Sequence, residues 1–145
     1  MSNERILVVD DEKTILELGR RFLVSEGFDV EIASQGMQAM KLLEEDPDEP
    51  TLAQVLDSLG VVYTIEGNHT NALRSLKRSA EIFRRIEDHD GLIETLLHLS
   101  EFYESIDSIL KARSLAQEAK ELAYEMEDEG LIEETESRIQ YLARL

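Results

Sequence analysis

Leu56-Asp57-Ser58-Leu59-Gly60-Val61-Val62-Tyr63 returns, 40 residues later, as Leu96-Leu97-His98-Leu99-Ser100-Glu101-Phe102-Tyr103, and this echo decides the reading of the chain. The same offset sets Ala72 on Ala112 and Ile82 on Leu122, and Gly91-Leu92-Ile93-Glu94 recurs as Gly130-Leu131-Ile132-Glu133 at an offset of 39. A fixed period of this size marks stacked supersecondary units, each too small to bury its apolar face alone. Leu52, Val55, Leu56, Leu59 and Val62 share one stripe at helical spacing. From Thr51 onward every apolar pattern is helical, with helices expected near 51–65, 69–87, 91–105, 108–127 and 130–144. Two hairpins and a terminal helix would stack as a short solenoid.

Upstream the periodicity is different. Ile6, Leu7, Val8 and Val9 form an aliphatic run that ends in Asp10 and Asp11. Such a run reads as a buried parallel strand delivering two carboxylates to the sheet edge where open α/β folds bind ligands. Adjacent carboxylates there suit a hard cation such as Mg2+. Lys13 to Glu26 has helical spacing and stops at Gly27; Phe28 to Ala33 alternates as a half-exposed strand does. Ser34 then caps a second helix from Gly36 to Glu45, with Met37 and Met40 as core filler. The expected organisation is α/β plus all-α: a partial βαβα unit over 1–46, a linker at 47–50 (Pro47-Asp48-Glu49-Pro50), and helical repeats over 51–145.

Charge and composition narrow the function. A net charge of −17 argues against nucleic acid and against anionic membrane surfaces, since both need clustered Lys and Arg. No apolar run approaches the ~20 residues that span a bilayer, and Met1 to Arg5 lacks the apolar stretch of a signal peptide. The absence of cysteine removes disulfides and thiolate chemistry. A soluble cytoplasmic protein is expected. No nucleophile–base pair, metal cluster or Gly-rich phosphate loop is legible, so the chain reads as no enzyme.

Two family resemblances can be placed on named residues. Arg5-Ile-Leu-Val-Val-Asp-Asp-Glu12, a helix, then Gly27-Phe28-Asp29-Val30-Glu31-Ile32-Ala33, continuing through Gly36 and Ala39 into Leu42-Leu43, resembles the opening half of a response-regulator receiver domain. That resemblance implies a doubly wound fold, with Mg2+ held by Asp10 and Asp11 beside a phosphorylated aspartate. Leu59-Gly60-x-x-Tyr63 followed by Ala72, and Leu99-Ser100-x-x-Tyr103 followed by Ala112, resemble tetratricopeptide repeats over 51–127, with Ser100 replacing the usual small Gly or Ala. By this resemblance the inner helices present a peptide-binding groove at Gln54, Asp57, Val61, Thr64, Glu94, Leu97, His98, Glu101 and Glu104. The list is mostly acidic or apolar, which suggests a basic or amphipathic peptide or signalling protein as partner.

The receiver pattern then breaks off. Asp57 lies at about the right spacing for a phosphoacceptor, yet its surroundings fit a helix better than a third strand. The hydroxyl residue and lysine that sense the phosphate have no counterpart downstream. A polar position on a repeat helix is therefore the expected role of Asp57, and capping of the first helix that of Asp10 or Asp11. Glu94 and His98, four apart, have a spacing that suits a metal, but with no further ligand in view they read as a groove-facing or surface pair. His69 and His89-Asp90 read as turn residues, and the acidic runs at 125–129 and 133–134 as solvated faces.

Without a third strand, Ile6–Val9 becomes a sheet edge with unpaired backbone groups beside an apolar surface. Two copies pairing edge to edge as a homodimer are the favoured repair; docking on the repeat helices or on an intact receiver are the others. The leading reading is a non-enzymatic signalling adaptor. The alternatives are a working phosphorelay receiver using Asp57 and Mg2+, and a structural assembly unit or artificial fusion.

Overall fold

The computed structural model describes residues 49–145, where every regular element is an α-helix. In chain order these are α1 (Glu49–Ile65), α2 (His69–Arg85), α3 (His89–Ser105), α4 (Ile109–Glu125) and α5 (Glu129–Ala143). The strand expected at Ile6–Val9, the pair Asp10 and Asp11, the two helices expected at 13–26 and 36–45 and the strand expected at 28–33 lie outside the described residues. Among the described residues no helix is long and apolar enough to cross a membrane.

All five expected helices form, with earlier starts at three of them. α1 includes Glu49 and Pro50, which the sequence reading placed in a linker. Proline is accommodated in a first turn because its missing N–H has no intrahelical partner to lose. His89 and Asp90 likewise open α3, and His69 opens α2. These polar residues resemble turn residues in sequence because the first turns here are exposed.

Helix starts at 49, 69, 89, 109 and 129 are evenly spaced because one connection is used four times. In the second, the Glu87 N–H donates to Arg84 O (3.3 Å) and the Asp88 N–H to Phe83 O (3.0 Å). These are the two bonds of a Schellman cap, which satisfies carbonyls left over at a helix end. Asp88 also begins the next helix: its side chain accepts from the Gly91 N–H at 3.0 Å, and its carbonyl from the Leu92 N–H at 3.1 Å. Asn68, Ser108 and Asp128 hold the equivalent place, Ser108 through its carbonyl alone. The cap requires a left-handed residue, supplied by Gly67 (φ 73°), Glu87 (57°), Asp107 (60°) and Glu127 (54°). At the three non-glycine positions that conformation costs about 1 kcal/mol, offset by the two cap bonds.

This register corrects one sequence observation. The Gly-Leu-Ile-Glu recurrence at an offset of 39 is one residue out of structural phase. Asp88 and Asp128 are both N-caps, so Gly91 is the third residue of its helix and Gly130 the second. Their surroundings differ accordingly: a Cβ on Gly91 would lie 2.5 Å from the Phe83 ring, while one on Gly130 would meet only the Asp128 carboxylate at 3.3 Å.

The core lies between α1–α2 and α3–α4, built on Leu56, Leu59, Leu76, Ile93, Leu96 and Phe102, all nearly or fully buried. α1 and α2 touch where Gly60 faces Leu76. At the aligned positions of the second hairpin stand Ser100 and Ala116, both fully buried, so a larger residue on one helix is matched by a smaller one on the other. α4 buries only alanines (112, 116, 119 and 123), which lets its neighbours approach closely. One polar link crosses the core: the fully buried Ser79 hydroxyl donates to Ala53 O at 2.7 Å and lies 3.3 Å from the Thr95 hydroxyl, joining α1, α2 and α3.

Gly60 tests this packing. Helix propensity alone would favour alanine by about 1 kcal/mol. A Cβ there, however, would fall 2.3 Å from Leu76 Cγ and 3.2 Å from the Leu76 backbone nitrogen, so α1 and α2 must separate. Gly60→Ala is expected to lower stability by about 1–3 kcal/mol in urea unfolding; equal or higher stability would refute the close approach.

Candidate binding groove and its histidine cluster

α1, α3 and α5 are the inner helices, and they line a groove of about 910 Å³. α3 contributes Asp90, Glu94, Leu97, His98 and Glu101; α5 contributes Glu134, Ser137, Arg138 and Tyr141; α1 contributes Gln54. The contribution of α5 was not anticipated from sequence. It follows from one more application of the 40-residue offset, which carries Glu94, Leu97, His98 and Glu101 onto Glu134, Ser137, Arg138 and Tyr141. The terminal helix is thus a third inner helix rather than a simple cap.

Of the expected groove positions, Gln54, Glu94, Leu97, His98 and Glu101 line the groove. Val61 does not: it is buried, only 8% exposed. Thr64 turns its hydroxyl back to Gly60 O at 2.8 Å. Glu104 is occupied by α5, with one carboxylate oxygen 2.7 Å from Arg138 Nη2 and the other accepting from the Tyr141 hydroxyl at 2.8 Å. Arg138 Nε donates to Ser100 Oγ at 3.1 Å, and that hydroxyl donates to Ala112 O at 2.9 Å. Ser100 therefore replaces a smaller residue with a purpose: it holds α4 and α5 against α3.

Asp57 stands in the middle of α1, is 7% exposed, and reaches across to α3. His98 Nδ1–H donates to both of its oxygens, at 3.0 and 2.9 Å. The carboxylate has no hydrogen to offer, so the proton is on Nδ1 and neutral His98 presents Nε2 as an acceptor. A phosphoacceptor needs an exposed carboxylate; this one is on a helix and engaged at both oxygens. The sequence reading that no further ligand stands near Glu94 and His98 is also corrected. Folding brings Asp57, Glu94 and His98 together with one ligand atom of each within 4.8 Å of the others. Asp57 is invisible to a search for local spacing because it is 41 residues from His98.

Burial disfavours a charged imidazole at His98. The Asp57 hydrogen bond, the Asp57 charge and the charges of Glu101 and Glu94 outweigh it, so its pKa lies above the ordinary 6.5. A raised folded pKa gives stability that is fully present below the unfolded value and lost as pH rises through the folded one. In chelator-treated protein, NMR titration should place the His98 midpoint above the ordinary imidazole value, and Asp57→Asn should lower it. An unchanged midpoint in that variant would contradict the pairing.

Two response regulator NtrX-like proteins, from Rickettsia felis and Rickettsia conorii, are each similar to this chain, 33% identical over 72 residues, which is 46% of this chain and 15% of theirs. The chain thus spans a small fraction of the length of these curated relatives. The tetratricopeptide repeat family matches residues 38–125, more than half of the chain, and includes all of α1 to α4. With its paired helices, constant period and small-for-large packing positions, the chain belongs to the tetratricopeptide repeat family.

Proposed function

We propose that the chain is a non-enzymatic signalling adaptor whose concave face takes a basic, amphipathic segment of a partner protein. The observation that carries this reading is the charge of the groove. Asp88, Asp90, Glu94, Glu101 and Glu134 line it, whereas Arg138 is the only Lys or Arg among the described residues that line it and is already paired with Glu104. Leu97, Ile93 and Leu131 supply apolar floor between the carboxylates. A helix with lysines or arginines flanking leucines would match both features, the charges steering encounter and the apolar contacts holding the complex. The family's role in protein–protein interaction supports the same reading.

Residues 1–46 supply, in this proposal, a receiver-like half used for dimerisation or docking. The likeness to response regulator NtrX-like proteins supports a signalling context. Mg2+ at Asp10 and Asp11 is not required for it. The favoured contact is edge-to-edge pairing of Ile6–Val9 between two copies. Sedimentation should then show a dimer at micromolar concentration, broken by proline at Val8; a compact monomer would overturn this part alone.

The groove is tested with a labelled Lys/Leu-rich amphipathic peptide by fluorescence anisotropy. Saturable binding is expected, weakened about tenfold by Glu101→Lys combined with Glu134→Lys, and weakened further at high salt as exposed charges are screened. An acidic peptide of the same apolar pattern should not bind. Equal affinity of the charge-reversed and parent proteins would refute the groove as the site.

A further inference from the structure

The three side chains gathered around His98 do more than join two helices. We infer that Asp57, Glu94 and His98 form a binding site for a divalent transition metal ion of the zinc or cobalt class, on the concave face of the repeats. This goes beyond peptide recognition and does not depend on it.

Geometry is the first support. A four-coordinate ion with ligands at about 2.1 Å places those ligands about 3.4 Å apart. His98 Nδ1 lies 2.9 and 3.0 Å from the Asp57 oxygens, and all three residues offer ligand atoms within 4.8 Å of one another. An ion therefore needs the Nδ1 proton to pass through solvent to Nε2, a slight opening of the His–Asp contact and a rotamer adjustment at Glu94, an exposed residue. Regular helices set the backbone positions: Glu94 and His98 are one turn apart on α3, and Asp57 stands in mid-α1.

Chemistry is the second. One imidazole nitrogen and two carboxylates form a borderline donor set, better suited to Zn2+ or Co2+ than to Mg2+ or Ca2+, which prefer oxygen alone. The Asp57 and His98 side chains are only 10% and 16% exposed, so attraction to a cation is weakly screened there. Glu101 adds negative charge beside His98 without belonging to the ligand triad. Glu94 stands at the groove side, leaving a fourth position for water or for a donor atom of a bound partner. A structural His–Asp clasp needs only Asp57 and His98, whereas the metal site also needs Glu94 as a ligand, and that difference separates the two accounts.

The test is titration of the full chain, stripped with chelator, with Co2+ followed by its visible absorption and with Zn2+ by calorimetry. One equivalent should bind saturably, and excess Mg2+ should not displace it. Glu94→Gln and His98→Ala should each weaken Co2+ binding about tenfold or more, while Glu125→Gln, an exposed charge on α4, should change nothing. Glu94→Gln alters a solvent-exposed residue, so unchanged circular dichroism is expected to show that its effect is not unfolding. Absence of saturable uptake, equal losses in Glu94→Gln and Glu125→Gln, or displacement by Mg2+ would each overturn the inference.

Discussion

The three-residue connection between helices is the constraint on which the rest of the structure depends. Its middle residue is left-handed, its last N–H closes one helix, and the same residue's carbonyl opens the next. Because each connection has the same length, helices start at a constant interval, and residues 40 apart occupy equivalent places on alternate helices. Gly60 and Ser100 then meet the small-residue demand of the same packing position. Glu94 and Glu134, or His98 and Arg138, face the same groove. Inserting one residue within a helix would rotate the residues after it by about 100 degrees and move them off the groove face.

From that register follows the division of labour among the polar groups. Buried hydroxyls on Ser79, Thr95 and Ser100 satisfy neighbouring carbonyls or each other and tie successive helices together. On the concave face, charged side chains link the inner helices: Arg138 and Glu104 join α5 to α3, and His98 and Asp57 join α3 to α1. The second link concentrates chemistry as well as structure. It places an imidazole among Asp57, Glu94 and Glu101, so that the proposed cation site stands within the proposed peptide-binding surface. Partner and ion would meet the same field.

Much of this was legible in the sequence, and the failures have physical causes. The five helices were readable because their apolar residues repeat at helical spacing and the whole pattern repeats once more. The first turns of α1 and α3 were not, because Glu49-Pro50 and His89-Asp90 are polar residues of exposed turns, and composition there does not separate a helix start from a loop. Val61 was assigned to the groove, but it is buried and is not among the residues that line it. Asp57 was recognised as a helical residue, while its partner across the groove depended on the crossing of two helices, which no local spacing encodes. The role of α5 could have been found by extending the same offset from His98 to Arg138, since only the identity of the side chain changes there.

The central claim is that equivalent positions on α1, α3 and α5 form one continuous recognition surface. It is tested most directly by NMR, mapping amide shifts while a basic amphipathic peptide is added. The account predicts perturbations running from Gln54 through Glu94, Leu97 and Glu101 to Glu134 and Ser137, with the outer residues of α2 and α4 unmoved. Perturbations centred on α2 and α4 instead, with those inner positions silent, would contradict it.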